Sequence, residues 1–197
     1  MSALGTIGKI VRSSLSRGGA RKSKKSPAPE LEKGTFDYIR EPKSDCFSVG
    51  FAKTDVMPDD MDKTAYYVAG YRMNNPAKGV LDPMTASAVW IDDLSGRGGV
   101  VFVSIDDIGL TNYDVGIIRD LLADFKKESG CRSINIMSIH NHASIDTVGL
   151  WGPLPRSGRN KKYMELLAQK VKQVVLDAYN DRRDGDFYYG KKEAEAI

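Results

Sequence analysis

The only two histidines of the chain, His140 and His142, stand one residue apart in the segment SIHNHASID. A neutral imidazole nitrogen is a strong metal donor at pH 7, and a neighbouring oxygen can hold the opposite ring nitrogen, so this spacing suits zinc. On an extended backbone, side chains two apart leave from the same face, and both rings would project together. A structural reading stays open beside it, in which two imidazoles at a strand end hydrogen-bond nearby backbone groups. Carboxylates surround the pair in sequence. Asp106 and Asp107 close an earlier apolar run, and Asp146 and Thr147 follow His140 by six and seven residues. Asp146 could be an extra ligand, an acceptor for one imidazole, or a turn or helix-capping aspartate.

The elements that must position these residues are legible around them. Residues 133–139 are apolar and strand-like, and the run VVFVSI at 100–105 is apolar on both faces, as an interior strand should be. Between them, Val115, Ile118, Leu122 and Phe125 recur at helical spacing over 114–127, and Gly130 stands where a helix stop belongs. Strand, helix, strand over this distance is a βαβ unit with parallel strands. The carboxyl ends of both strands then share one sheet edge, where α/β proteins usually bind ligands. Further strands are expected at 47–53, 65–71 and 86–92, with a glycine-rich turn at 96–99 and a last short strand at 187–189. A covering helix is expected over 160–181, with an apolar stripe of Tyr163, Leu167, Val171, Val174 and Ala178. The fold class is α/β: a mixed sheet with a parallel βαβ unit and covering helices, forming an incomplete domain.

Composition narrows the function classes. The chain has 197 residues, 41% hydrophobic and 28% charged, as in a soluble globular protein. Its net charge of +3 comes from the first 25 residues, which hold seven basic side chains and no acidic one. Residues 1–45 are read as a basic flexible tail and linker, and 46–197 as the organised region. Within the tail Ile7, Ile10, Val11 and Leu15 could form a weak stripe that touches an anionic membrane surface. The glycines at 96–99 precede a strand instead of opening a helix, which argues against a phosphate loop. Nothing interleaves aromatics with basic residues, so nucleic acid is not an expected partner. Cys46 and Cys131 form no metal-binding pair and are compatible with a reducing compartment. No run of 18 apolar residues and no apolar signal region is present, so a cytoplasmic location is expected.

The order of these segments resembles the start of the catalytic domain of the neutral/alkaline non-lysosomal ceramidase family. FSVGFAKTD from Phe47 is similar to its opening glycine–aspartate strand, VAGY from Val68 to its second, and VVFVSID from Val100 to its central strand. INIMSIHNH, ending at His142, resembles its histidine strand, usually T-H-T-H-S-G-P. The H-x-H-x-D-H pattern of metallo-β-lactamase-like enzymes fits poorly, because Ser144 stands where Asp is needed and no third histidine follows.

The resemblance implies a zinc-dependent amide hydrolase acting on an N-acyl sphingoid or related lipid amide. His140 would be a zinc ligand, and His142 would sit beside the metal and serve as a proton donor. From their place in the sequence rather than from the resemblance, Asp106 is added as a catalytic candidate and Asp146 as a metal candidate. The family draws a further His, a Glu and a Tyr from later in its domain, so a complementary C-terminal half is the implied partner, without which the chain is inactive. Where the family has S-G-P-G-G, this chain has the longer, bulkier loop from Ala143 to Pro153, which contains Asp146 and Trp151. The non-catalytic alternative is a binding module or remnant that keeps the scaffold.

Overall fold

The computed structural model describes residues 41–43 and 45–193. Most of the expected tail and linker, including its apolar stripe, lies outside the described residues. Five strands form one mixed sheet. β1 (Phe47–Asp55) pairs antiparallel with β2 (Thr85–Asp92), and β2 turns back antiparallel into β3 (Val100–Ile105). The chain then crosses through α1 (Asn112–Leu121) and α2 (Ala123–Ser129) to β4 (Ser133–Ser138), which lies parallel to β3. After a long loop, α3 (Lys161–Asn180) leads into β5 (Arg183–Gly185), antiparallel to β1. The order across the sheet is β4-β3-β2-β1-β5. The βαβ unit and the mixed sheet are those expected from the sequence.

Three expectations are corrected. The helix expected over 114–127 is two helices, because Leu122 at their junction is fully buried and its N–H bonds back three residues to the Arg119 carbonyl. Thr111 and Asp114 cap the first of them reciprocally, and Gly130 ends the second in the left-handed conformation. The strand expected at 65–71 forms only isolated bridges, Tyr67 with Pro76 and Val68 with Ile145. Its apolar residues pair with the histidine loop instead of the sheet. The last strand is Arg183–Gly185, not the aromatic run at 187–189, because the register follows directly from the end of α3.

Register divides the sheet into two unlike faces. Gly50, Trp90, Val101 and Ile134 are aligned across four strands and face the helices. Trp90, 1% exposed, packs edge-on to Phe125 of α2 and Tyr179 of α3. The buried stripe of α3 is Tyr163, Leu167, Ala168, Val171, Val174, Val175 and Ala178. A Cβ on Gly50 would overlap the Ala178 carbonyl, so glycine permits the close approach of helix and strand. Each large side chain buried here contributes about 1.5–3 kcal/mol. On the opposite face Phe51, Val89, Phe102 and Asn135 are aligned, with Phe51 and Phe102 exposed. Among the described residues no helix is long and apolar enough to cross a membrane.

Candidate functional site

The histidines lie just past the end of β4, where the chain still follows β3. The Ile139 N–H donates to the Ile105 carbonyl at 3.1 Å, and Asn141 N–H to the Asp107 carbonyl at 3.3 Å. His140 itself has φ +61, a left-handed conformation that is uncommon for a non-glycine residue and concentrates at functional sites. The rings therefore converge through a turn, not through the strand alternation expected from their spacing. Their Nε2 atoms are 3.3 Å apart.

The two imidazoles are not equivalent. His140 Nδ1 lies 2.7 Å from the Ile108 carbonyl, which can only accept, so Nδ1 carries the proton and Nε2 presents a lone pair. With both rings neutral, His142 Nε2–H then donates to His140 Nε2. His142 Nδ1 is buried without a hydrogen-bond partner. A tetrahedral zinc with nitrogen bonds of about 2.0–2.1 Å spaces its ligands roughly 3.3–3.4 Å apart, so the observed separation matches a shared ion as well as a hydrogen bond. The outer carbonyl contact of His140 is of the kind that prepares a zinc ligand. Ligation through His142 Nε2 would move its proton to Nδ1, where no acceptor waits.

The wall behind His142 comes from 67–71. The Ala69 N–H donates to the Ser144 carbonyl at 2.9 Å and Asp146 N–H to the Tyr67 carbonyl at 2.8 Å. Gly70 has φ +118, and a Cβ there would stand 2.5 Å from His142 Cβ and 2.6 Å from Cγ. The indole N–H of Trp151 donates to the Gly70 carbonyl at 2.7 Å. Tyr71, 86% exposed, meets the His142 ring edge-on with centroids 5.0 Å apart.

Among the described residues the imidazoles bond the Ile108 carbonyl and each other, and none of the three carboxylates singled out in the sequence hydrogen-bonds to them. Asp146 is fully buried, and its oxygens accept from the backbone N–H groups of Val148 (3.0 Å), Gly149 (2.6 Å) and Trp151 (2.8 Å). These bonds organise the loop, as a turn aspartate does. Asp106 Oδ2 accepts from the Thr85 N–H at 2.8 Å and the Thr85 hydroxyl at 2.7 Å, pinning β3 to β2. Among the described residues no group of three His, Cys, Asp or Glu side chains could hold a metal ion. The neighbouring Asp107, 1% exposed, finds no well-formed hydrogen bond. Burial pushes its carboxyl up to about 6, Asp106 and Asp114 adding to the shift while Ser138 and the Gly109 amide offset it in part.

Two solved structures share this arrangement of elements. One is a ceramidase complexed with C2, with a TM-score of 0.53 over 71% of this chain. The other is the neutral ceramidase from Pseudomonas aeruginosa, with a TM-score of 0.55 over 72%. The fold is shared with neutral ceramidases. Sequence identity is 16% in each case, and the match spans 22% of each ceramidase chain. No protein-family model and no curated protein matches the sequence.

Within this ceramidase-like fold, three components have roles that the sequence did not reveal. The Ile108 carbonyl carries no side-chain signal at all. Gly70 looks like an ordinary turn glycine, and its role follows only from the ring packed against it. Trp151 stands out in the sequence as a bulky loop residue, but its indole contact spans 81 positions.

Proposed function

We propose that this chain supplies the histidine-bearing part of a zinc-dependent amide hydrolase whose substrate is an N-acyl sphingoid or related lipid amide. The observation that carries the reading is the convergence of the two Nε2 atoms at 3.3 Å, with His140 locked by the Ile108 carbonyl. The ceramidase-like fold supports it, since the pair sits on the same fold as two ceramidases.

His140 Nε2 is the metal donor. When bound, zinc supplies Lewis-acid polarisation of the amide carbonyl and lowers the pKa of a bound water. His142, held beside it, would take a proton from the attacking water and, as the imidazolium, pass one to the departing amine nitrogen, ending neutral. Tyr71 forms the exposed rim against which a substrate would rest. Catalytic zinc takes three protein ligands and an open position. Among the described residues His140 alone falls short of that set, and the remaining donors are proposed to come from the complementary half that the resemblance implies. A non-catalytic module retaining the scaffold is the competing reading, favoured by the incomplete donor set.

Zinc binding separates them. The purified chain and its His140→Ala and His142→Ala variants are dialysed to equilibrium against rising zinc, without desalting, because a site short of donors holds the metal weakly. One zinc per chain at saturation is expected for the native protein, none for His140→Ala, and at most a modest weakening for His142→Ala. No saturable binding by the native chain, or equal binding by His140→Ala, would sink the metallohydrolase reading for this half.

A further inference from the structure

The His142 ring has no hydrogen bond at Nδ1 and one contact at Nε2, to His140, so the rest of its orientation is set by packing. One side of that packing is backbone. Gly70 lies so close that a Cβ would come within 2.9 Å of Nδ1 itself. A glycine at φ +118 has conformational freedom of its own and makes a firm wall only if something fixes it. Two contacts do so: the Ala69 N–H bonded to Ser144 on one side, and the Trp151 indole N–H on the Gly70 carbonyl at 2.7 Å. Trp151 is in turn anchored twice along its backbone. Its N–H donates to the buried Asp146 carboxylate at 2.8 Å, and its carbonyl accepts from Asn74 at 2.9 Å. The chain of contact runs Asp146, Trp151, Gly70, His142.

The geometry points to Trp151 as a positioning residue for His142: through the Gly70 carbonyl it sets the plane of the ring and aims Nε2 at His140. This gives the bulky loop a role that neither imidazole nor either carboxylate explains. Trp151 touches no reacting atom and acts only through Gly70. The consequence for metal binding rests on the zinc reading above, whereas the orientation of the ring does not.

The test uses the full chain and Trp151→Phe, which keeps an aromatic ring and deletes the N–H, with Trp151→His as a variant that restores a ring N–H. The first readout is the protonation pattern of both imidazoles in metal-free protein, read from nitrogen-15 chemical shifts at one pH near 8. In the native chain His140 is expected to carry its proton on Nδ1 and His142 on Nε2. In Trp151→Phe the His142 pattern should collapse to a mixture of tautomers while His140, still held by Ile108, is unchanged. Trp151→His should recover part of the native pattern. The second readout is zinc affinity by competition with a chelator, where loss of an outer-shell support costs roughly 10–100-fold.

A Trp151→Phe protein that melts earlier but keeps the native His142 pattern would show a merely structural tryptophan and overturn the proposal. So would a native chain in which His142 is not protonated on Nε2, a result that needs no variant to fold. Loss of the pattern in Trp151→Phe with no zinc bound by any form would uphold the positioning role and defeat the metal reading alone.

Discussion

Asp107 shows how one buried side chain can set a pH dependence. Its carboxyl is pushed up to about 6, chiefly by burial. The unfolded chain releases this proton near the ordinary value of 3.8, whereas the native chain holds it until about 6. Between those values the native state binds more protons, so its stability falls as pH rises from about 4 to above 6. Asp107→Asn cannot ionise and escapes that loss. Relative to the native protein, the variant should be near neutral at pH 4 and more stable by about 2–3 kcal/mol at pH 7.5. Urea unfolding at several pH values checks this, and a difference that stays constant with pH would refute it. His140 carries a different kind of cost, since its left-handed backbone is tolerated only because the Ile108 carbonyl and the 139–141 backbone bonds determine it from both sides.

Among the elements, the junction of α1 with the loop before α3 depends on one ion pair. Arg159 bonds both oxygens of Asp114, the residue that also completes the α1 capping box, and reaches the Thr147 carbonyl at 2.8 Å. Burial opposes the charge on Asp114, but Arg159 and Thr111 outweigh it and hold the carboxyl below the usual range. Arg159→Ala leaves that buried charge with Thr111 but without its cation and should cost about 2–4 kcal/mol by urea unfolding, less than a fully dry pair because Arg159 is partly solvated. A loss below about 1 kcal/mol would mean the pair is incidental.

This junction also shows what sequence could and could not reveal. β1, β2, β3, β4 and α3 follow from local pattern: strand formers bounded by turn residues, or one apolar stripe at helical spacing. The break at Leu122 has no such signature, because Leu is a good helix former and only its burial fixes the kink. β5 has the reverse problem. Its residues Arg183, Asp184 and Gly185 have weak strand preference, and the Asp181 carboxylate, accepting from Phe51 N–H at 3.2 Å, guides them onto β1. For the site, the two histidines were legible from residue type and spacing. Their outer partners were not, since a carbonyl and a glycine reveal nothing until the fold brings them to the ring.

At the scale of the whole molecule, α2 and α3 pack on one face of the sheet, and the other face carries exposed Phe51, Phe102 and Met137. Among the described residues these apolar side chains are open to solvent. Replacing Phe51 and Phe102 together by threonine keeps strand preference and removes nothing from the core. Stability should change by no more than about 1 kcal/mol, while binding of a hydrophobic dye should fall several-fold. A large loss of stability would show that the face is already packed within this chain.

The strand order has a further, kinetic consequence. β1, β2, β3 and β4 join their sequence neighbours, but β5 returns to β1 across the whole chain, and the Phe51–Asp181 contact that guides it spans 130 positions. Loop-closure entropy places such a contact late. During synthesis and refolding, β1 therefore waits with its outer edge bare until the last helix is made. The period of greatest exposure to pairing between chains falls early, along that edge, and three weak strand formers close it.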